Sequence, residues 1–130
     1  MQTFVKLAPL AAELTMAVVL FVGSPASDKY TAAYHQAASG RAVLVTVYSA
    51  SWCEPCQRLR AELEQDIPGA AVVFFDVDED AAAIASHRRG RMVPEIRLSI
   101  KKDGRWHSCK MTGFRMREQI INAVDRMRGQ

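Results

Sequence analysis

Between Val43 and Tyr48 the chain reads Val-Leu-Val-Thr-Val-Tyr, β-branched or aromatic at all but one position and without polar alternation. A strand with one wet face alternates, so a nearly continuous apolar run points to a strand covered on both faces, as in a parallel sheet between helices. That segment points to a layered α/β architecture. With 130 residues, 49% of them hydrophobic, there is interior enough for one domain. This composition excludes a disordered or collagenous chain, and three cysteines are too few for a disulfide scaffold.

The neighbouring segments supply the layers. Asp28–Ser39 reads as a helix capped by Ser27 or Asp28, with Tyr30, Ala33, Tyr34 and Ala37 on one face and Gly40 as its stop. Glu54–Ile67 sets Leu59, Leu63 and Ile67 at four-residue spacing, a helical stripe ended by Pro68-Gly69. Ala71–Val77 reads as a second buried strand and Asp80–Arg89 as an alanine-rich helix. Glu95–Lys101 alternates, with Ile96, Leu98 and Ile100 on one face. Asp103-Gly104 then predicts a hairpin turn into a partner strand, Arg105–Met111. A last helix starts near Arg115 and places Met116, Ile120, Val124 and Met127 on its buried stripe. Two parallel crossovers followed by a hairpin give a mixed central sheet with helices on both faces, a domain spanning residues 27–130.

Before that domain, Leu7–Gly23 is mostly apolar, preceded by Lys6 and followed by Ser24-Pro25-Ala26. Positive start, apolar run and small-residue end are the layout of a secretory signal, and residues 1–26 are read as a signal peptide or N-terminal anchor. This implies an extracytoplasmic setting, periplasmic or membrane-tethered. The alternative makes Ala17–Val22 a first strand of a cytoplasmic domain; six apolar residues near a sheet edge would then be an adhesive edge of the kind proteins avoid. Charge is also uneven, −5 over residues 1–80 and +8 over residues 81–130. The basic residues are scattered, with no run longer than Arg88-Arg89 and no RNA-binding or zinc-finger signature, so nucleic acid is not expected as a partner.

Chemistry concentrates in Trp52-Cys53-Glu54-Pro55-Cys56, where the apolar strand passes into the second helix. Two cysteines on one helical turn can close a small disulfide ring or open to a dithiol. At the helix amino end, free N–H groups and the positive dipole end favour a Cys53 thiolate, the species that attacks disulfides. Cys56, one turn further in, is placed to attack the mixed disulfide so formed. Pro55 suits the first turn, where its missing N–H costs nothing. Half a zinc site is the competing reading. A closed site needs four ligands, and only Cys109 and the unpaired His35, His87 and His107 remain, so no metal is expected.

These residues resemble the thioredoxin family over roughly Asp28 to Arg128. Trp52 directly precedes the first cysteine, as in thioredoxins. Val93-Pro94 opens the strand after the second crossover, where the family has a cis-proline against the active site. Gly113, after the hairpin, matches the glycine lining the family's substrate groove. The resemblance implies a thioredoxin fold and a protein-disulfide oxidoreductase with Cys53 as nucleophile and Cys56 as resolving thiol. Trp52, Glu54, Pro55, Val93, Pro94 and Gly113 would contact an extended substrate segment. It implies a monomer with no bound cofactor, disulfide-containing protein substrates, and a partner reductase or membrane electron donor.

The chain departs from the pattern in two places. The buried acid usual on the strand before the motif aligns with Val47, and the lysine usual on the neighbouring strand with about Phe74. Losing both together avoids a buried charge without its mate and implies slower resolution by Cys56. Glu54 stands where the family usually has glycine, and a carboxylate beside Cys53 disfavours its thiolate. Cys109 is expected as a buried, inert side chain on the face of His107 and Met111. The competing reading of the whole is a redox-inert binding or assembly module of the same fold.

Overall fold

The computed structural model describes residues 25–87 and 90–129. The targeting segment or alternative first strand proposed within residues 1–26 therefore lies, except for its last two residues, outside the described residues, as do Arg88 and Arg89. In order, the elements are α1 (Pro25–Ala38), β1 (Val43–Ser49), α2 (Glu54–Glu62), β2 (Ala70–Asp76), β3 (Glu95–Lys102), β4 (Arg105–Thr112) and α3 (Arg117–Gly129). The four strands among the described residues form one mixed sheet in the order β2-β1-β3-β4.

β1 is buried along its whole length, as its apolar run requires. Side chains alternate between faces. Val43, Val45 and Val47 join Leu98 and Ile100 beneath Leu59 of α2 and Ile120, Val124 and Met127 of α3. On the other face Leu44 and Tyr48 pack with Val73, Phe75 and the α1 residues Ala33 and Ala37. Helices thus cover both faces. The hairpin turns at Asp103 and Gly104, whose φ angles of 52° and 74° are the paired positive values of a type I′ turn.

Several sequence expectations are corrected. Among the described strands only β1 and β2 run parallel, in register Val43↔Ala70 to Ser49↔Asp76, while β3 is antiparallel to β1. The second crossover does not traverse the sheet. Val77 N–H donates to Ser49 O at the site end of β1, and Glu95 pairs with Tyr48 at that same end. A connection that stays at one end must send the next strand back the other way.

The alanine-rich segment from Asp80 is a succession of turns over its described residues. It has an i→i+4 bond from Ile84 to Asp80, then i→i+3 bonds from Ala85 to Ala82 and His87 to Ile84. A piece this short is marginal as a helix without an apolar face to dock, and Ile84 is its sole core residue among those described. β2 is also less covered than its composition implies, with Val73 and Phe75 buried and the other residues partly open. α2 ends at Glu62, so Ile67 reaches the core from the following loop. Met116 precedes α3 and is exposed, leaving Ile120, Ala123, Val124 and Met127 as the buried stripe. Cys109 is exposed on β4, with its sulfur 3.9 Å from Met127 Sδ.

Candidate functional site

β1 delivers the chain to Ala50, and Cys53 becomes the N-cap of α2. Its extended backbone (φ −100°, ψ 112°) turns the side chain back over the first helical turn. There Cys56 N–H donates to Cys53 Sγ at 3.3 Å, and Gln57 N–H donates to Cys53 O at 3.3 Å. One of the orphan donors of the helix start is therefore aimed at the sulfur. Pro55 falls in the first turn, where no N–H is needed. The two cysteines are disulfide-bonded, with Cα atoms 5.2 Å apart. Cys53 retains 6% exposure and Cys56 1%, so the earlier sulfur is the one nearer solvent.

The predicted partners converge on this turn. Ala50, Cys53 and Cys56 form a small cluster with Val77 and Val93 packed against it. Val93 O lies 3.7 Å from Cys53 Sγ. The Val93–Pro94 peptide bond is cis, and Pro94 is fully buried. Gly113 N–H donates to Pro94 O at 2.9 Å, tying the loop after β4 to the start of β3. Gly113 has φ of 90°, a conformation that a side chain resists. Trp52 stands 70% exposed beside the cysteines. Glu54 points into solvent and pairs with Arg58 at 3.3 Å one turn on, a solvated first-turn acid.

The sequence reading missed the residues that hold this loop. Trp52 Nε1 donates to Asp78 Oδ2 at 2.9 Å. Asp76 Oδ1 accepts from the backbone N–H of Asp78 and Glu79, at 2.8 and 2.9 Å. The Glu79 N–H, followed by those of Asp78 and Ser51 and the charge of Arg60, holds the Asp76 carboxyl below its ordinary range, against a smaller upward push from burial. Gln57 Nε2 donates to Ala50 O at 3.2 Å. Arg58 lies over the Phe114 ring at 4.7 Å, bridging α2 to the residue after Gly113. The legible signal was Asp76-Val77-Asp78 at the carboxyl end of an α/β strand, where ligand-facing loops gather.

Cys109 stands apart from the reactive pair, and burial pushes its thiol pKa up, with Arg126 offsetting part of the rise. At the positions of the missing charges, Val47 and Phe74 face each other in register across β1 and β2, with Val47 buried. Among the described residues no helix is long and apolar enough to cross a membrane.

Comparison with known proteins agrees with this geometry. The family model described as Thioredoxin matches residues 25–126. The crystal structure of chloroplastic thioredoxin z superposes with a TM-score of 0.58 at 27% identity, covering 75% of this chain and 88% of its own. A mutant thioredoxin from Halobacterium salinarum gives 0.53 at 28% identity, over 68% and 76%. The thioredoxin of Trichomonas vaginalis, at 18% identity, shares the fold with a TM-score of 0.58 over 75% and 90%. No curated protein sequence matches the chain. With the family model running from the first described helix well into the last, the protein belongs to the thioredoxin family, the thiol–disulfide oxidoreductases.

Proposed function

We propose that the protein reduces or exchanges disulfides in extended segments of protein substrates, with Cys53 as attacking sulfur and Cys56 as resolving sulfur. The observation that carries this is the asymmetry of the pair. Cys53 caps a helix, receives the Cys56 N–H and borders the Val93 carbonyl, while Cys56 is sealed behind it. In the dithiol form the helix start favours the Cys53 thiolate. That thiolate attacks one sulfur of the substrate disulfide; the S–S bond breaks and the departing sulfur leaves as thiolate and takes a proton. Cys56, deprotonated, then attacks Cys53 Sγ, closing the Cys53–Cys56 disulfide and releasing the second substrate thiol. Two electrons pass from protein to substrate, and a partner reductase or membrane electron donor restores the dithiol.

Trp52, Glu54, Pro55, Val93, Pro94 and Gly113 border the approach to Cys53 and form the surface for the substrate segment in this reading. Reading residues 1–26 as a targeting segment places the reaction outside the cytoplasm, which sequencing the mature amino terminus tests. Insulin-disulfide reduction tests the chemistry. Wild type should reduce insulin, Cys53→Ser should be inactive, and Cys56→Ser should accumulate a covalent mixed disulfide visible by mass spectrometry. A wild type as inactive as Cys53→Ser would instead leave a binding module of the same fold.

A further inference from the structure

Glu95 opens β3 directly after Pro94 and is 1% exposed. A carboxylate withdrawn from water needs close partners. Its Oε1 accepts from Gly90 N–H at 2.5 Å, and its Oε2 pairs with Arg97 Nε at 2.6 Å. The Arg97 guanidinium lies 5.4 Å from the centroid of the Tyr48 ring, and Tyr48 is the cross-strand partner of Glu95. The Tyr48 hydroxyl in turn shares a hydrogen bond with His87 Nδ1 at 2.8 Å. The His87 ring packs against Tyr30, Phe75 and Tyr48, with centroids 4.8, 5.4 and 5.9 Å away.

One cross-strand pair therefore grips the incoming chain twice, at His87 through Tyr48 and at Gly90 through Glu95. Immediately beyond the second grip come Arg91, Met92, Val93 and Pro94. Met92 is 67% exposed, and Val93 O is the backbone atom beside Cys53 Sγ. β3 fixes this segment at its far end, and the Gly90 contact fixes it at its near end. Charge-assisted hydrogen bonds to a buried carboxylate are the stronger kind. Gly90 is also a close approach: a Cβ there would sit 2.9 Å from Glu95 Oε1.

We infer that Glu95 is a positioning residue for the substrate groove: by holding Gly90 it sets the path of residues 91–94 and so where the Val93 backbone meets an extended substrate beside Cys53. This rests on the reductase reading above. It predicts that loosening the Glu95–Gly90 contact weakens the seating of an extended peptide while leaving the sulfur chemistry intact.

The test compares the reduced wild type, Glu95→Gln and Gly90→Ala on two disulfides. One is a disulfide-bridged extended peptide; the other is bis(hydroxyethyl) disulfide, too small to span the groove. Both variants should raise KM for the peptide about tenfold, with kcat and the small-disulfide rate kept within about twofold. A variant that slows both substrates in step, or a folded Gly90→Ala with wild-type peptide KM, overturns the inference. Gly90→Ala stands as the deciding variant should Glu95→Gln fail to fold. A wild type that reduces neither disulfide removes the reductase reading, and this inference with it. A wild type that reduces both, beside variants that fail as described, removes this inference alone.

Discussion

At the scale of single residues, the two cysteines are chemically alike and are made unequal by position. Cys53 caps the helix that follows a buried strand and a short turn, so its sulfur meets the Cys56 N–H on one side and the Val93 carbonyl on the other. Val47 is the sharpest departure. It is buried opposite Phe74 and Ile96, where a charge has no partner built for it. Val47→Asp should lower stability by about 2–4 kcal/mol in urea titration. In stopped-flow measurements the same variant should release the mixed disulfide several-fold faster than wild type, because a base then stands on the strand before the motif. Equal release rates would mean that resolution here needs no base at that position. Cys109 yields the opposite expectation. Its thiol pKa is raised and it stands apart from the reactive pair, so Cys109→Ser should leave insulin reduction within about twofold of wild type. Its alkylation at neutral pH should lag behind that of reduced Cys53.

At the scale of elements, the reactive turn is held by the loop after β2 as much as by its own helix. The Trp52–Asp78 hydrogen bond is exposed, so Asp78→Ala should cost about 1 kcal/mol or less in stability. It should nevertheless redshift Trp52 fluorescence and raise KM for protein substrates, since the indole loses the contact that orients it. Beneath the turn, Leu59 fixes α2 to the sheet and is fully buried in the larger core. Leu59→Ala should cost about 2–5 kcal/mol, read from the denaturation midpoint. The strands and the hairpin were legible because their signals are local: an apolar run, an alternation, an Asp-Gly turn. The segment after Asp80 was misread because alanine promotes a helix that only docking can complete, and few of its residues dock. β2 was read as fully covered because its composition cannot show what lies beside it.

Across the whole molecule, the two faces of the sheet do different work. The buried residues on the α2/α3 side are aliphatic apart from Met127, with Phe74 and Phe114 only partly buried at its margin, while the α1 side holds the set of Tyr30, Tyr48, Phe75, His87, Glu95 and Arg97. Burial, and next the charge of Arg97, lower the His87 pKa from its ordinary value of about 6.5. A depressed imidazole means that the unfolded chain binds the extra proton more readily than the folded one. The stability is thus complete above pH ~6.5 and declines as pH falls through that value towards the lower folded pKa. Asp76 works in the same sense in a more acidic window, its contribution fading below the ordinary carboxylate range. Urea midpoints measured from pH 8 down to pH 5 should fall for wild type, and His87→Gln should flatten that decline. An unchanged slope would show that the ring does not resist protonation in the fold.

The sequence alone determined the α/β class, the reactive pair and its place at a strand–helix junction, because each is written in residues a few positions apart. Val93, Pro94 and Gly113 were found only through resemblance, since they lie some 40 to 60 positions from Cys53 and no local pattern joins them to it. Tertiary structure decided the direction of β3, the clamp of Asp76 and Asp78 behind Trp52, and the burial of Glu95. The physical reason is the same in each case. A hydrogen bond or an ion pair between distant segments depends on where the sheet brings them together, and a linear chain does not carry that information at either end of the contact.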